Sequence, residues 1–345
     1  MSTVAPRLRF RDAQIEMAHG AGGKASRRLV EGLIAPLLLG HDATELSDAA
    51  SVNVNGASIA ITADSFVVKP LRFPGGSIGE LAVNGTVNDL AVSASKPEAL
   101  VVTYVIEAGL PTEELEAEVR AMADAAARAG IAIVGGDTKV VEHGKADRMY
   151  ITTAGIGRPL PGVSLSPKSV RPGDAVILSG PIGDHGITIL LARGELEIEA
   201  DLTSDTRSVF AFIEALANVA APGLRWMRDP TRGGVATSLN ELACDARLSV
   251  VLHEDRIPVR DAVRGACELL GLDPLHIANE GQFLAVVAAE YAEAALDAIR
   301  RAGCREAAII GEIGEQPAGT VLGATAYGGT RVIDMLVGDP LPRIC

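Results

Sequence analysis

Short aliphatic runs alternate with helix-period segments along almost the whole chain, and this alternation constrains the fold more than any other feature. "ASIAITADS" (57–65) reads as a strand, "SIGELAVNGTVNDLAVSAS" (77–95) as a helix and "EALVVTYVIEAG" (98–109) as a strand. Residues 111–130 open on proline, carry acids in the first turns and close on glycine, the start and stop signals of a helix. "IAIVGG" and "RMYITTAGIGR" follow as strands. Residues 159–175 then hold four prolines and no periodicity, which marks a domain boundary. Beyond it the pattern restarts: strand "AVILSG", helices at 184–194 and 204–220, helix "GVATSLNELACDA", strands "LSVVLHE" and "QFLAVVAA", helix "YAEAALDAIRRAG", and a last pair of strands at "TVLGATA" and "TRVIDML". The expected fold is α/β (α+β), with two tandem α/β domains over residues 1–160 and 174–332 and a flexible tail over 333–345. With aromatics at 3% and hydrophobic residues at 48%, the core must be packed by Ala, Val, Leu and Ile.

The net charge is -13 and no cluster of five or six Lys/Arg interrupts it, which speaks against a nucleic-acid groove or a polybasic membrane patch. No apolar run approaches the roughly 18 to 20 residues that span a bilayer. The first residues, "MSTVAPRLRFRDAQIEM", lack an apolar stretch, so no signal peptide and a cytoplasmic protein are expected. Cys244, Cys267, Cys304 and Cys345 show neither C-x-x-C nor Cys/His metal spacing. Cys244 and Cys267 fall in helical patterns and are expected as small buried thiols, and Cys304 as a structural one. Cys345, the last residue of "GDPLPRIC", is either a frayed end or a reactive group. Its own α-carboxylate would disfavour the thiolate relative to the usual pKa of about 8.5, so a nucleophilic role needs a cationic or basic neighbour.

Asp48, Asp64, Asp89 and Asp137 stand at the ends of expected elements, where side chains reach a cleft, with Asp137 following a Gly-Gly turn. Several carboxylates from different elements suit Mg2+ and nucleotide phosphates. The same positions also suit turn and helix capping. Glycine-rich stretches lie beside these acids: "HGAGGK" (19–24), "FPGGSIG" (73–79), "VGGDTK" and "DPTRGGVA" (229–236). None is a Walker A loop or a G-x-G-x-x-G after a strand, but four such turns beside Asp or Lys favour phosphate binding. Lys139 and Glu280 are candidate acid/base or charge-stabilising groups, or members of surface ion pairs, and His19 and His185 are weaker candidates of the same kind.

The ordered set "AHGAGGKASRRLV", "DSFVVKPLRFPGGSIGELAVNGTVNDLAV", "VGGDTKVV", "DPTRGGVA", "ANEGQF" and "PRIC" closely resembles the HypE family, the carbamoyl dehydratases of [NiFe]-hydrogenase maturation, within the aminoimidazole-ribonucleotide-synthetase-like ATP-binding superfamily. The resemblance spans essentially the whole chain, and the "PRIC" ending is its most specific part. It implies a barrel-like dimer core built from the first domains of two copies, with ATP held between the two domains of each. Asp64, Asp89 and Asp137 then look like Mg2+ carboxylates, joined by Asp48, with Asn88, Gly135, Gly136 and Asp229 also at the nucleotide and the "HGAGGK" loop closing over it. The resemblance further implies that a HypF-type transferase loads a carbamoyl group onto Cys345. ATP activates its oxygen, dehydration leaves a thiocyanate, and the cyanide passes to iron on a HypC/HypD pair. Lys139 would stabilise the transferred phosphoryl group and Glu280 would take the nitrogen proton, with Lys139 as competitor for that role. Other ATP-dependent synthetases or kinases of the superfamily, and a non-catalytic cyanide carrier, are the alternative readings.

Overall fold

In the computed structural model, which describes residues 9–39, 47–194, 200–325, 327–338, 341 and 343–345, the two runs of alternation become two separate sheets. Ahead of the first sheet, helix α1 (Gly23–Leu29) continues through a π-turn, Val30–Ile34, into α2 (Ala35–Leu38). The first half then follows as β1 (Ala50–Val54), β2 (Ala57–Phe66), the short hairpin β3 (Arg72–Phe73) and β4 (Gly76–Ser77), α3 (Ile78–Val92), β5 (Ser95–Glu107), α4 (Thr112–Ala129), β6 (Ala132–Val141) and β7 (Met149–Pro159). Its five-stranded sheet has the order β1-β2-β7-β5-β6, in which only β5 and β6 run parallel. Helix α4 stops where Gly130 turns left-handed, as the sequence signal required.

Helix α3 is buried on nearly every side, which is why its apolar residues show no single face. Leu81, Val83 and Val87 pack into a core that also takes Ile187 and Val263 of the second half, and Ala91 and Val92 into another core shared with that half, so α3 is packed against the second half at both ends. Only one face of the five-stranded sheet is covered in this way. On the other, Ile61, Val101 and Ile156 are exposed, and the edge strand β6 is exposed along almost its whole length, Val134 and Val140 included.

The second half follows as β8 (Ala175–Leu178), α5 (Asp184–Ala192), α6 (Phe210–Ala220), β9 (Leu224–Arg228), α7 (Gly234–Ala246), β10 (Ser249–His253), α8 (Asp261–Leu270), β11 (Leu284–Val287), α9 (Ala292–Ala302), β12 (Ala308–Gly314), β13 (Thr320–Ala324) and β14 (Thr330–Ile333). The seven strands are ordered β14-β13-β10-β12-β8-β11-β9. Helix α7 covers one face, with Val235 and Leu239 in the same core as Val176, Leu178 and Val286. Helices α6 and α9 cover the other, with Ile213 and Ile299 clustered with Ile177, Ala285 and Val287. Burial on both faces explains why "AVIL" and "LAVV" are continuous apolar runs and do not alternate.

Four expectations need correction. Strands β9 and β12 were not foreseen: β9, LRWMR, carries two arginines in five residues, and the aliphatic run of β12, AIIGEIG, is interrupted by Gly311 and Glu312, with its register against β8 shifting between Ile309 and Gly311. Helix α6 begins at Phe210, not at 204, because the preceding polar residues are engaged elsewhere: Ser204 Oγ accepts from Thr206 N, and the Asp205 carboxylate accepts from Glu280 N and Gly281 N. Gly135 and Gly136 form no turn but lie inside β6, where a Cβ on Gly136 would stand 1.8 Å from Val102 O. Cys244 is exposed on α7, while Cys267 and Cys304 are buried. Among the described residues no helix is long and apolar enough to cross a membrane.

Candidate active site

Between the two halves the chain gathers acids that are far apart in sequence. Asp48 precedes β1, Asp64 lies near the end of β2, Asp89 is on α3, and Asp229 follows β9 at the turn leading to α7. Carboxylate oxygens of Asp48, Asp89 and Asp229 lie within 4.8 Å of one another. Arg228 Nη1 donates to Asp48 Oδ1 at 2.5 Å, and Thr62 Oγ1 donates to Asp89 Oδ2 at 2.9 Å and to Asp48 O at 2.7 Å. These few donors do not offset the crowding. Burial, then the charges of Asp229, Asp48 and Asp64, hold the Asp89 carboxyl well above the usual range, and burial with Asp48 pushes Asp229 up to about 7. Asp64 is raised by burial against the pull of Arg232.

Glu280 closes the same space from the loop before β11. Its side chain is buried, its Oε1 has no hydrogen-bond partner among the described residues, and burial followed by the charges of Asp229 and Asp64 raises its pKa strongly. The backbone that carries it is held on two sides. Asp205 accepts from Glu280 N at 3.0 Å and from Gly281 N at 3.1 Å, and Asn88 Nδ2 donates to Glu280 O at 3.2 Å. Asn88 was expected at the nucleotide, yet its amide is spent on the protein. Nδ2 also donates to Arg207 O at 3.0 Å, and Oδ1 accepts from Val209 N at 2.8 Å. It is a bracket between α3 and the second half.

The tail is docked and is not held out as an arm. Residues 339, 340 and 342 lie outside the described residues, but 343–345 run beside 67–69: Val67 N donates to Cys345 O at 2.9 Å and Lys69 N to Arg343 O at 3.3 Å. Arg193 Nη2 adds 3.0 Å to Arg343 O, Arg343 Nη1 reaches Asp147 Oδ2 at 2.6 Å, and His185 Nε2 lies 2.6 Å from Ile344 O. Leu341 and Ile344 are buried in the core that joins the first half to α5 and α8, and Cys345 packs against it. The amide that holds Cys345 O, Val67 N, is three residues past Asp64, roughly 10 Å of extended chain.

Asp137 and Lys139 are not brought to this cluster within the protomer. Register pairs Asp64 with Thr153, Thr153 with Val102 and Val102 with Gly136, which puts β6 three strands away, about 14 Å. Alternation then turns Asp137 to the uncovered face, where its carboxylate pairs with Lys139 Nζ at 2.6 Å. The "HGAGGK" loop does reach the second half: Arg232 Nη1 donates to Gly20 O at 2.7 Å, Lys24 N to Leu336 O at 3.0 Å, and Lys24 Nζ meets Asp334 at 2.5 Å. His19 lies behind it, bonded to Asp12. Arg228, Arg232 and Asp205 were not foreseen. Arg228 and Arg232 flank the expected Asp229 in sequence, whereas nothing local points to Asp205.

Models of the AIR synthase related proteins match both halves, the N-terminal domain over residues 46–158 and the C-terminal domain over 171–323. The carbamoyl dehydratase HypE of Azotobacter vinelandii is 46% identical over 340 residues, 98% of this chain and 99% of that protein. The chain belongs to the HypE family. Solved HypE structures share its fold as well. One in a HypE–HypF complex superposes with a TM-score of 0.84 at 42% identity, covering 89% of this chain and 99% of that one. A hydrogenase maturation protein HypE in complex with ATP gives 0.80 at 42% identity over 95% and 99%.

Proposed function

We propose that the protein dehydrates a carbamoyl group carried on Cys345 to a thiocyanate at the expense of ATP, supplying cyanide for the iron of [NiFe]-hydrogenase. The observation that carries this reading is the docking of Cys345 on Val67, just past β2 and three residues beyond Asp64, in a chain of the HypE family whose aspartates converge. Residues 1–160 act as the nucleotide-binding and dimerisation domain, 174–332 as the second domain, and 333–345 as the segment that presents the thiol.

The donor set of the cluster fits a hard divalent cation such as Mg2+: the ligands are all oxygen, three carboxylates converge, and their mutual repulsion needs a counter-charge. Asp48, Asp89 and Asp229 would hold it, with Asp64 beside them, and once bound it neutralises phosphate oxygens of the nucleotide. The carboxamide oxygen on Cys345 is a poor leaving group until ATP phosphorylates it. Loss of phosphate together with the remaining N–H proton then leaves Cys345-S-C≡N, ADP and phosphate. Glu280, in its ionised form, takes that proton: burial gives the carboxylate a raised proton affinity, and its Oε1 bonds to none of the described residues. Asn88 and Asp205 fix the loop that carries it.

Asp137 and Lys139 can reach a nucleotide only in an assembly. The uncovered sheet face and the unpaired edge of β6 are what a second copy would bury. In the resulting homodimer the pair acts across the interface on the partner's nucleotide. Asp137→Asn and Asp229→Asn subunits, each inactive alone, should then regain activity when mixed, because a heterodimer rebuilds one intact site. Failure to complement removes the shared site. A HypF-type transferase loads the carbamoyl group and a HypC/HypD pair accepts the cyanide, in the cytoplasm, so the docked tail must leave its groove for both exchanges.

Intact-protein mass spectrometry tests the core of the reading. With a carbamoyl donor system and ATP, the adduct should lose the mass of one water in step with ADP release. Cys345→Ala should fold and bind ATP without forming any adduct, and a dehydrated adduct on that variant would overturn the assignment.

A further inference from the structure

His185 sits in the first turn of α5 with no exposed surface, and neither of its ring nitrogens faces the acid cluster's carboxylates. Nε2 lies 2.6 Å from Ile344 O and Nδ1 2.8 Å from Ser204 Oγ. A carbonyl can only accept, so Nε2 carries the proton and Nδ1 must accept from the Ser204 hydroxyl. Ser204 is in turn fixed by Thr206 N, which donates to its oxygen at 3.1 Å, and the imidazole stands edge-on to Phe73 with ring centroids 5.6 Å apart. Burial lowers the His185 pKa to about 4, in keeping with a neutral ring of one tautomer. The result is a relay, Thr206 N–H to Ser204 to His185 to Ile344 C=O, that aims a single buried donor at the residue before Cys345.

We propose that His185, oriented by Ser204, is a positioning residue for the dehydration: it grips the carbonyl of Ile344 and so sets where the Cys345 adduct lies relative to the acid cluster and Glu280. The inference rests on Cys345 being the modified residue. Its logic is geometric. Val67 N holds Cys345 O from one side and His185 holds Ile344 O from another, so the two carbonyls flanking the Cys345 backbone are both pinned while the side chain is left to the chemistry. The grip is on main chain, so it reads the position of the tail and not the identity of residue 344. Selectivity for the tail comes instead from the buried side chains of Leu341 and Ile344 and from Arg343 on Asp147. A Cβ on Gly186, one residue on, would stand 3.3 Å from Leu341 Cδ1, so the same turn of α5 shapes both parts of the groove.

Two substitutions separate positioning from packing. His185→Phe keeps a ring but no donor, and His185→Gln keeps a donor at the Nε2 position. On full-length carbamoylated protein with saturating ATP, His185→Phe should slow single-turnover thiocyanate formation by about 100-fold, the scale of a displaced reacting group, with ATP affinity unchanged. His185→Gln should recover to within about tenfold of wild type, one buried hydrogen bond's worth. Amide exchange gives a readout independent of activity: Val67 N–H and Lys69 N–H, which donate to the tail, should lose protection in His185→Phe and keep it in His185→Gln, while amides of β10 and β12 stay unchanged in both. Should His185→Phe fail to fold, an intact chain made by ligation with an ester in place of the Ile344–Cys345 amide weakens the same acceptor, and it should show the same selective loss of protection. Normal turnover and normal Val67 and Lys69 protection in His185→Phe, or in the ester chain, would overturn the proposal. If protection follows the prediction but wild-type protein forms no thiocyanate, the grip stands and it is the Cys345 reading that fails.

Discussion

Replacing Asn88 with alanine tests whether this residue serves the nucleotide or the architecture. The side chain makes three hydrogen bonds, to Arg207 O at 3.0 Å, to Glu280 O at 3.2 Å and from Val209 N at 2.8 Å. Asn88→Ala removes all three. Val209 is fully buried, so its unpaired N–H costs about 1–3 kcal/mol, and each carbonyl that loses a donor adds about 0.5–1.5 kcal/mol. The sum is roughly 2–6 kcal/mol, which in a chain of this size, at about 1.4 °C per kcal/mol, corresponds to a fall in melting temperature of about 3–8 °C. Thermal unfolding followed by circular dichroism measures it, and hydrogen exchange should show Val209 N–H losing protection first. Because both amide protons and one lone pair of Oδ1 are committed to the protein, ATP affinity measured calorimetrically well below the transition should change by less than about threefold, under 1 kcal/mol. A melting shift below about 2 °C accompanied by loss of ATP binding would refute the reasoning and return Asn88 to the nucleotide.

Gly136→Ala should destabilise by about 3 kcal/mol, since its Cβ would overlap Val102 O, while Gly135→Ala, with nothing within 4 Å, should be tolerated; equal effects in denaturant titrations would show that the β5–β6 approach is not tight. Stability should also fall as pH drops from about 6.5 to about 4 on account of His185, whose folded pKa is lowered to about 4 by burial. Over that window the unfolded chain takes up the proton and the folded one does not, which removes about 3 kcal/mol in total, all of it present above pH 6.5. Asp184, raised by burial to about 6, works in the opposite sense, so the measurement is the difference between wild type and His185→Gln across the window; parallel curves would count against a buried neutral imidazole. Maleimide should modify Cys244 well before Cys267, which is buried with its thiol pushed up to about 11, and peptide mapping that finds Cys267 labelled first would contradict the packing of α8.

Local patterning carried much of the fold. Aliphatic runs and helix signals located most elements of both halves, because period and capping are properties of neighbours in sequence, and the prolines of 159–175 separate the strands of one sheet from those of the other. Elements whose identity depends on what they touch were less legible. "LRWMR" becomes β9 only because β11 pairs with it, and 204–209 stays out of α6 because Asp205 is drawn to the Glu280 loop.

The site divides along the same line. The sequence by itself determined which residue types could do the chemistry: cleft aspartates, glycine-bordered turns, Glu280, and a terminal thiol whose motif context names a family. Only the tertiary structure decided which of them meet. Asp48, Asp89 and Asp229 converge from a loop, a helix and a turn, Asp137 stands three strands away on the opposite face, and Asn88 turns its amide to the protein. The tail shows the difference most plainly. "GDPLPRIC" reads as a loose arm because it has few apolar residues and two prolines, and nothing in those letters contains the buried histidine 159 positions upstream whose ring meets Ile344 O. A residue's chemistry is local and can be read from sequence, whereas its partners are set by chain reversals that bring distant segments into contact, and the hydrogen bonds that dock Cys345 exist only once those reversals are complete.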